Sequence, residues 1–109
     1  PHHGVDVTTQ SMQDEHLRGE RARELLAHPL MAEVLDLMER DLFERFKLAD
    51  TLKPDEMAEL RRLVGAHHKF TNILRGYIAN GEIAARQLAE AVKRESAIKR
   101  ATRHWRTGT

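Results

Sequence analysis

Between Met31 and Asn80 two long amphipathic patterns stand on either side of one short polar break, Asp50-Thr51-Leu52-Lys53-Pro54. Apolar residues recurring at intervals of three and four place one apolar stripe on each of two helices, and a break this short joins antiparallel neighbours. The expected fold is therefore all-α: an antiparallel helical hairpin with flanking N- and C-terminal helices, completed as an oligomeric bundle.

The chain has 109 residues, a length at which folding buries only about two-thirds of the unfolded surface in a single domain. It is 40% hydrophobic and 32% charged but only 5% aromatic. Aliphatic stripes set among charged faces, with few large side chains, make a thin core that a partner completes, commonly a second copy. With no cysteine, neither a disulfide framework nor a thiolate metal site can form. No apolar run approaches the roughly 18 residues of a membrane span and no signal-peptide pattern is visible, so the expectation is a soluble, cytoplasmic protein with no membrane partner.

Residues 1–11 show no helical period, and their His2-His3 and Gln10-Ser11-Met12 read as a disordered or tag-derived segment ahead of a single helical domain over 12–109. A first helix is expected from Asp14 to Ala27, its apolar positions sparse at Leu17, Ala22, Leu25 and Leu26. The His28-Pro29 step ends it, because the residue before proline is driven from the α region while proline suits a first helical turn. The second helix, Pro29 to Ala49, carries Met31, Val34, Leu35, Met38, Leu42, Phe43 and Phe46 on one face. Pro54-Asp55-Glu56 opens the third with a first-turn proline and two acids at the positive end of the helix dipole. That helix is expected to stop at Asn80-Gly81, a pair suited to the left-handed cap conformation. The expected hairpin core is Met31, Leu35, Met38, Leu42, Phe46, Val64, Phe70, Leu74 and Ile78. A fourth helix from Glu82 to about Arg103 repeats Ala84, Leu88, Ala91, Glu95, Ile98, Thr102 and Trp105 at steps of four and three, a weak heptad seam.

Small residues recur every seven positions in the third helix, at Ala58, Gly65, Asn72 and Ala79. Internal glycines at 65 and 76 each cost about 1 kcal/mol against alanine, a cost that close approach of another helix offsets; ordinary tolerance or a kink is the alternative. The candidate protein-interface residues are Gly65, Asn72, Ala79, Leu88 and Trp105.

Chemistry is sparse. Seven histidines include the adjacent His67-His68, which point to different faces, and no His-Glu-x-x-His pair exists. His67, on the apolar face, reads as a core or interface histidine that could make assembly pH-sensitive. Asp36 with Arg40 and Glu44 with Lys47 have helix-surface ion-pair spacing, without the pocket or partner acid that would make a catalytic dyad. Ser11 and Ser96 are the only serines, neither in a nucleophile elbow, and no glycine-rich phosphate loop is present. The reading is a protein that is not an enzyme and has no cofactor or metal.

Charge is unevenly spread although the formal net charge is +1. Glu33 to Asp50 holds six acids against three bases, whereas Arg86 to the end holds seven bases against two acids. Lys93, Arg94, Lys99, Arg100, Arg103 and Arg106, with His104 and Trp105 nearby, form a basic tract able to neutralise phosphates, Trp105 being placed to stack on a base or wedge into a partner. The competing reading is a solvated face, or one that complements the acidic second helix of a neighbouring copy. No recognition-helix motif accompanies the tract.

The run from Arg21 to Leu30 (Arg-Ala-Arg-Glu-Leu-Leu-Ala-His-Pro-Leu), followed by a hydrophobic helix, a polar break, a second long helix and Gly81-Glu82-Ile83-Ala84, resembles small helical proteins encoded in tailed bacteriophage and prophage genomes. The likeness spans roughly residues 18–88; where a tryptophan is associated with the end of the first long helix, this chain has Phe46. The resemblance implies a viral accessory or assembly protein, host-cytoplasmic or virion-associated, acting through helix-mediated homo-oligomers or a phage or host protein partner. It also suggests two alternatives: a DNA-packaging small subunit binding nucleic acid non-specifically, and an inhibitor of a host defence protein.

Overall fold

The computed structural model describes the backbone of residues 3–107 and the side chains of residues 8–103 and 105. Three α-helices follow one another, α1 (His3–Ala27), α2 (Pro29–Lys47) and α3 (Pro54–Thr107), with one 3-10 turn at Ala49–Thr51. The fold is all-helical, and among the described residues there is no strand.

Two local signals act as the sequence indicates. His28 takes φ −64° and ψ 127°, the extended conformation imposed ahead of Pro29, and its Nδ1 accepts the Leu30 amide at 3.2 Å, so the side chain caps the helix whose start the proline sets. At the other break Thr51 Oγ1 donates to the Leu48 carbonyl at 2.7 Å. The Lys53 amide donates to Glu56 Oε1 at 3.2 Å, the reaching-back half of a capping box at the start of α3.

Two boundaries differ from expectation. α1 begins at His3 rather than Asp14; Pro1 and His2 lie outside the described residues. More consequentially, α3 runs through Asn80 and Gly81 without interruption, and among the described glycines none has positive φ. The C-terminal segment is thus the continuation of the third helix, not a separate flanking one. The physical reason is a seam at alternating steps of three and four: Met57, Leu60, Val64, His67, Thr71, Leu74, Ile78, Gly81, Ala85 and Leu88. All but Val64 are buried or half-buried. A strict 3.5-residue period keeps one line of a helix against a neighbour, and Gly81 is a member of that line rather than a cap.

Both α1 and α2 run opposite to α3. Thr8 and Met12 lie beside Ala91 and Arg94, and Gly19 beside Tyr77 and Gly81. Further along, Glu39 approaches His67 and Phe46 shares a groove with Met57 and Leu60. The packing is uneven, since α1 lies along α3 far more extensively than α2 does. The buried residues are correspondingly few: Ala22, Leu60, Thr71 and Ala84, with Gly19 and Gly81.

None of the nine expected hairpin-core residues is buried. Met31, Leu35, Leu42, Leu74 and Ile78 are half-buried, and Met38, Phe46, Val64 and Phe70 are exposed. The molecule measures 85 × 28 × 18 Å with a radius of gyration of 23.5 Å, against about 13 Å for a compact chain of this length. Its long axis is set by the 54 residues of α3, which span about 81 Å at 1.5 Å per residue.

Candidate interaction surface

The docking of α1 on α3 rests on matched Gly-x-x-Ala pairs, Gly19 with Ala22 and Gly81 with Ala84. A Cβ added to Gly19 would stand 2.7 Å from the Tyr77 carbonyl oxygen and 2.9 Å from Gly81 Cα; one added to Gly81 would stand 2.9 Å from Gly19 Cα and 3.1 Å from the Glu15 carbonyl oxygen. Ala22 is 5% and Ala84 0% exposed, so the two backbones meet with only methyl groups between them and gain dispersion contacts that larger side chains would prevent. Around this crossing Arg18 stacks on the Tyr77 ring, its Cζ 4.6 Å from the centroid, close enough for a cation–π contact. Arg23 Nη2 donates to Glu82 Oε1 at 2.6 Å, a half-exposed pair.

α1 makes the close contact with α3, whereas α2, lying along a different stretch of it, is thinly covered. It buries no residue, and Leu30, Val34, Leu37, Met38, Phe43 and Phe46 are all exposed. A helix that packs on one neighbour needs an apolar arc of about 100°. The apolar residues of α2 reach well beyond one such arc, with the half-buried Met31, Leu35 and Leu42 turned to α3 and apolar residues on both sides of them. On one side the gap between α2 and α3 opens into a groove of about 650 Å³ lined by Phe46, Ala49, Met57, Leu60, Val64, Gly65 and His68.

The polar residues have ordinary helix-surface partners. Asp36 pairs with Arg40 at 2.8 Å and Glu44 with Lys47 at 3.1 Å, as their spacing indicates. His67 Nε2 is buried without a hydrogen bond, its nearest acid being Glu39 Oε1 at 3.8 Å, too far for one. His16 and His28 do not join the neighbouring Glu20 and Glu24; Glu20 instead lies 3.9 Å from Arg23. No group of three or more metal-ligating side chains occurs among the described residues, and none of the helices is long and apolar enough to cross a membrane.

Of the sequence-derived interface residues, Gly65, Asn72 and Ala79 lie on an exposed side of α3. A Cβ on Gly65 would meet nothing within 4 Å, and Asn72 Nδ2 lies 2.9 Å from His68 Nε2 on the same helix. This stripe is therefore not where helices of one chain approach. Leu88 is half-buried in the α3 seam, while Trp105 is 76% exposed. Within the expected C-terminal heptad, Ala84 and Leu88 are covered and Ala91, Glu95, Ile98, Thr102 and Trp105 are exposed. Lys93, Arg94, Lys99, Arg100 and Arg103 are exposed, Lys99 lying 3.3 Å from Glu95; the side chains of His104 and Arg106 lie outside the described residues. Reasoning from sequence missed the Gly19–Gly81 crossing. Its signal was present in the repeated Gly-x-x-Ala and in the phase of Gly81 within the α3 seam.

Comparison with protein-family models, curated proteins and solved structures gave no match for the chain.

Proposed function

We propose that this chain is a non-enzymatic interaction protein that works by helix-mediated self-assembly. The observation that carries the reading is the exposure of α2: an apolar helix that buries none of its residues within the chain. The exposed large apolar side chains of this helix are 43–62% accessible to water, so each forgoes roughly half of the about 1.5–3 kcal/mol that full burial of a large apolar side chain brings, and extended apolar surface of this kind marks contact with another molecule. The phage or prophage setting, and with it the role of assembly factor or of inhibitor of a host protein, rests on the resemblance of residues 18–88. Light-scattering mass over a wide concentration range tests the reading: masses above the 12.5 kDa of one chain are expected, and a clean monomer at every concentration refutes it.

A second reading is favoured by the far end of α3, where Lys93, Arg94, Arg100 and Trp105 stand exposed on a helix that carries few acids. A basic helix with an exposed tryptophan is suited to non-specific contact with phosphates and bases, with affinity that falls steeply with salt. Binding to random duplex at two salt concentrations is expected to weaken at the higher one, and to be lost on charge reversal of Lys99, Arg100 and Arg103. Affinity that ignores both changes refutes it.

A further inference from the structure

The self-assembly reading leaves open which surface is used, and α2 offers two. In α2, Leu30 and Val34 each stand one residue before a half-buried position (Met31, Leu35), and Leu37, seven residues after Leu30, shares their helical phase. In α3, Leu63, Phe70 and Ile73 each stand one residue before a member of the seam (Val64, Thr71, Leu74). Right-handed helices packed antiparallel carry such preceding residues on the same side of the pair. The rule is visible in the α1–α3 contact, where Arg18 precedes Gly19, Tyr77 precedes Ile78, and the two side chains touch. These six residues therefore share one face, opposite the groove that holds Phe46, Gly65 and His68. All six are exposed, at 39–61%.

We propose that this face docks a second copy of the chain in an antiparallel, two-fold arrangement. The proposal rests on the self-assembly reading above and specifies its surface. Area supports a copy of this size as the occupant. The chain exposes 9072 Å², whereas a compact monomer of 12.5 kDa exposes about 6,200 Å². The excess of about 2,900 Å² exceeds the roughly 800 Å² that each partner of a standard-size dimer covers. Charge supports the two-fold. By the same one-residue-before rule, Arg18 and Arg21 flank the face at its α1 end, and Asp41, Glu56 and Glu59 flank it at the break between α2 and α3, where Arg45 pairs with Asp41 at 3.2 Å and leaves that end net acidic. An antiparallel copy sets each basic end against the partner's acidic end, with Phe70 near the middle. A parallel copy would oppose like charges. Isologous contact of this kind closes as a dimer and leaves the opposite groove and the C-terminal end of α3 uncovered.

The chain has no cysteine, so single substitutions report on single sites. With the thiol of Phe70→Cys, labelling by a maleimide is expected to slow by about tenfold once about nine chains in ten are dimeric, while Phe46→Cys on the opposite face labels at an unchanged rate. The double variant Leu37→Lys/Phe70→Lys, both changes at exposed positions, is expected to sediment at 12.5 kDa with its helical circular dichroism intact. If the unmodified chain is itself monomeric at every concentration, the self-assembly reading falls and this proposal with it. If it is oligomeric but protection appears at Phe46→Cys instead, or the lysine variant keeps its mass, self-assembly stands and the assignment of this face is wrong.

Discussion

Gly81→Ala is the substitution whose outcome most directly probes the architecture, because propensity and packing predict opposite signs. Alanine in the interior of a helix is favoured over glycine by about 1 kcal/mol, and Gly81 lies well inside α3. The added methyl carbon, however, would stand 2.9 Å from Gly19 Cα and 3.1 Å from the Glu15 carbonyl oxygen. Both neighbours are backbone, so no rotamer change relieves the overlap; α1 and α3 must separate, loosening the contact that Ala22 and Ala84 make beside it. Overpacking a tight site costs about 1–3 kcal/mol, and the absence of a movable side chain places this case near the upper end. Subtracting the propensity gain leaves a net loss of about 2 kcal/mol, which lowers Tm by roughly 8–16 °C for a domain of this size. Gly65→Ala and Gly76→Ala supply the internal control in the same helix: an added Cβ meets nothing within 4 Å at either site. Each is expected to gain up to about 1 kcal/mol and to raise Tm by a few degrees. Thermal melts followed by circular dichroism at one fixed protein concentration measure all three. A Gly81→Ala chain that melts higher, as the other two do, would show that α1 does not approach α3 at this point, and the seam assignment would fail with it.

Three further outcomes follow from the packing. Leu60→Ala should cost about 2–3 kcal/mol in urea unfolding, near the low end for a buried leucine because its site borders the open groove and can partly refill with solvent; an effect under half a kilocalorie would deny Leu60, 4% exposed, its place in the core. His28→Ala should lose about 1 kcal/mol with the side-chain cap on Leu30, whereas His28→Asp should retain it, since aspartate also accepts from a first-turn amide; equal melting temperatures for the two variants would remove the cap from the account. Arg23→Ala should change stability by less than about 1 kcal/mol despite the 2.6 Å contact with Glu82, because both groups are half-exposed and water screens them; a larger loss would mean that the pair orients α1.

The helical content, the His28-Pro29 break and the start of α3 at Pro54 were all legible in the residues, because each is decided within a few positions. Proline excludes a helical conformation just before it, and Glu56 reaches only three residues back to the Lys53 amide. The surface pairs Asp36–Arg40 and Glu44–Lys47 were legible for the same reason. The candidate surface was harder to read. Of the small-residue stripe Ala58, Gly65, Asn72 and Ala79, the last three lie on one exposed side of α3 and Ala58 is half-buried, but nothing in the chain seats against Gly65. The glycines that do bring two helices together, Gly19 and Gly81, are 62 positions apart, and Gly81 next to Asn80 also fits the local pattern of a helix end.

By itself, the sequence determined that this protein is helical and placed the breaks at His28-Pro29 and ahead of Pro54, since those choices depend on backbone sterics and hydrogen bonds closed within one turn, whereas the stop it also indicates at Asn80-Gly81 does not occur. Only the tertiary structure decided which helix covers which. α1 lies against the stretch of α3 around Tyr77 to Arg94 and α2 against the stretch around Met57 to His67, and how tightly each docks turns on how closely two backbones can approach. Glycine at both Gly19 and Gly81 lets α1 make the close contact, a long-range coincidence that no window of neighbouring residues contains. α2 contains no glycine, and it buries none of its residues.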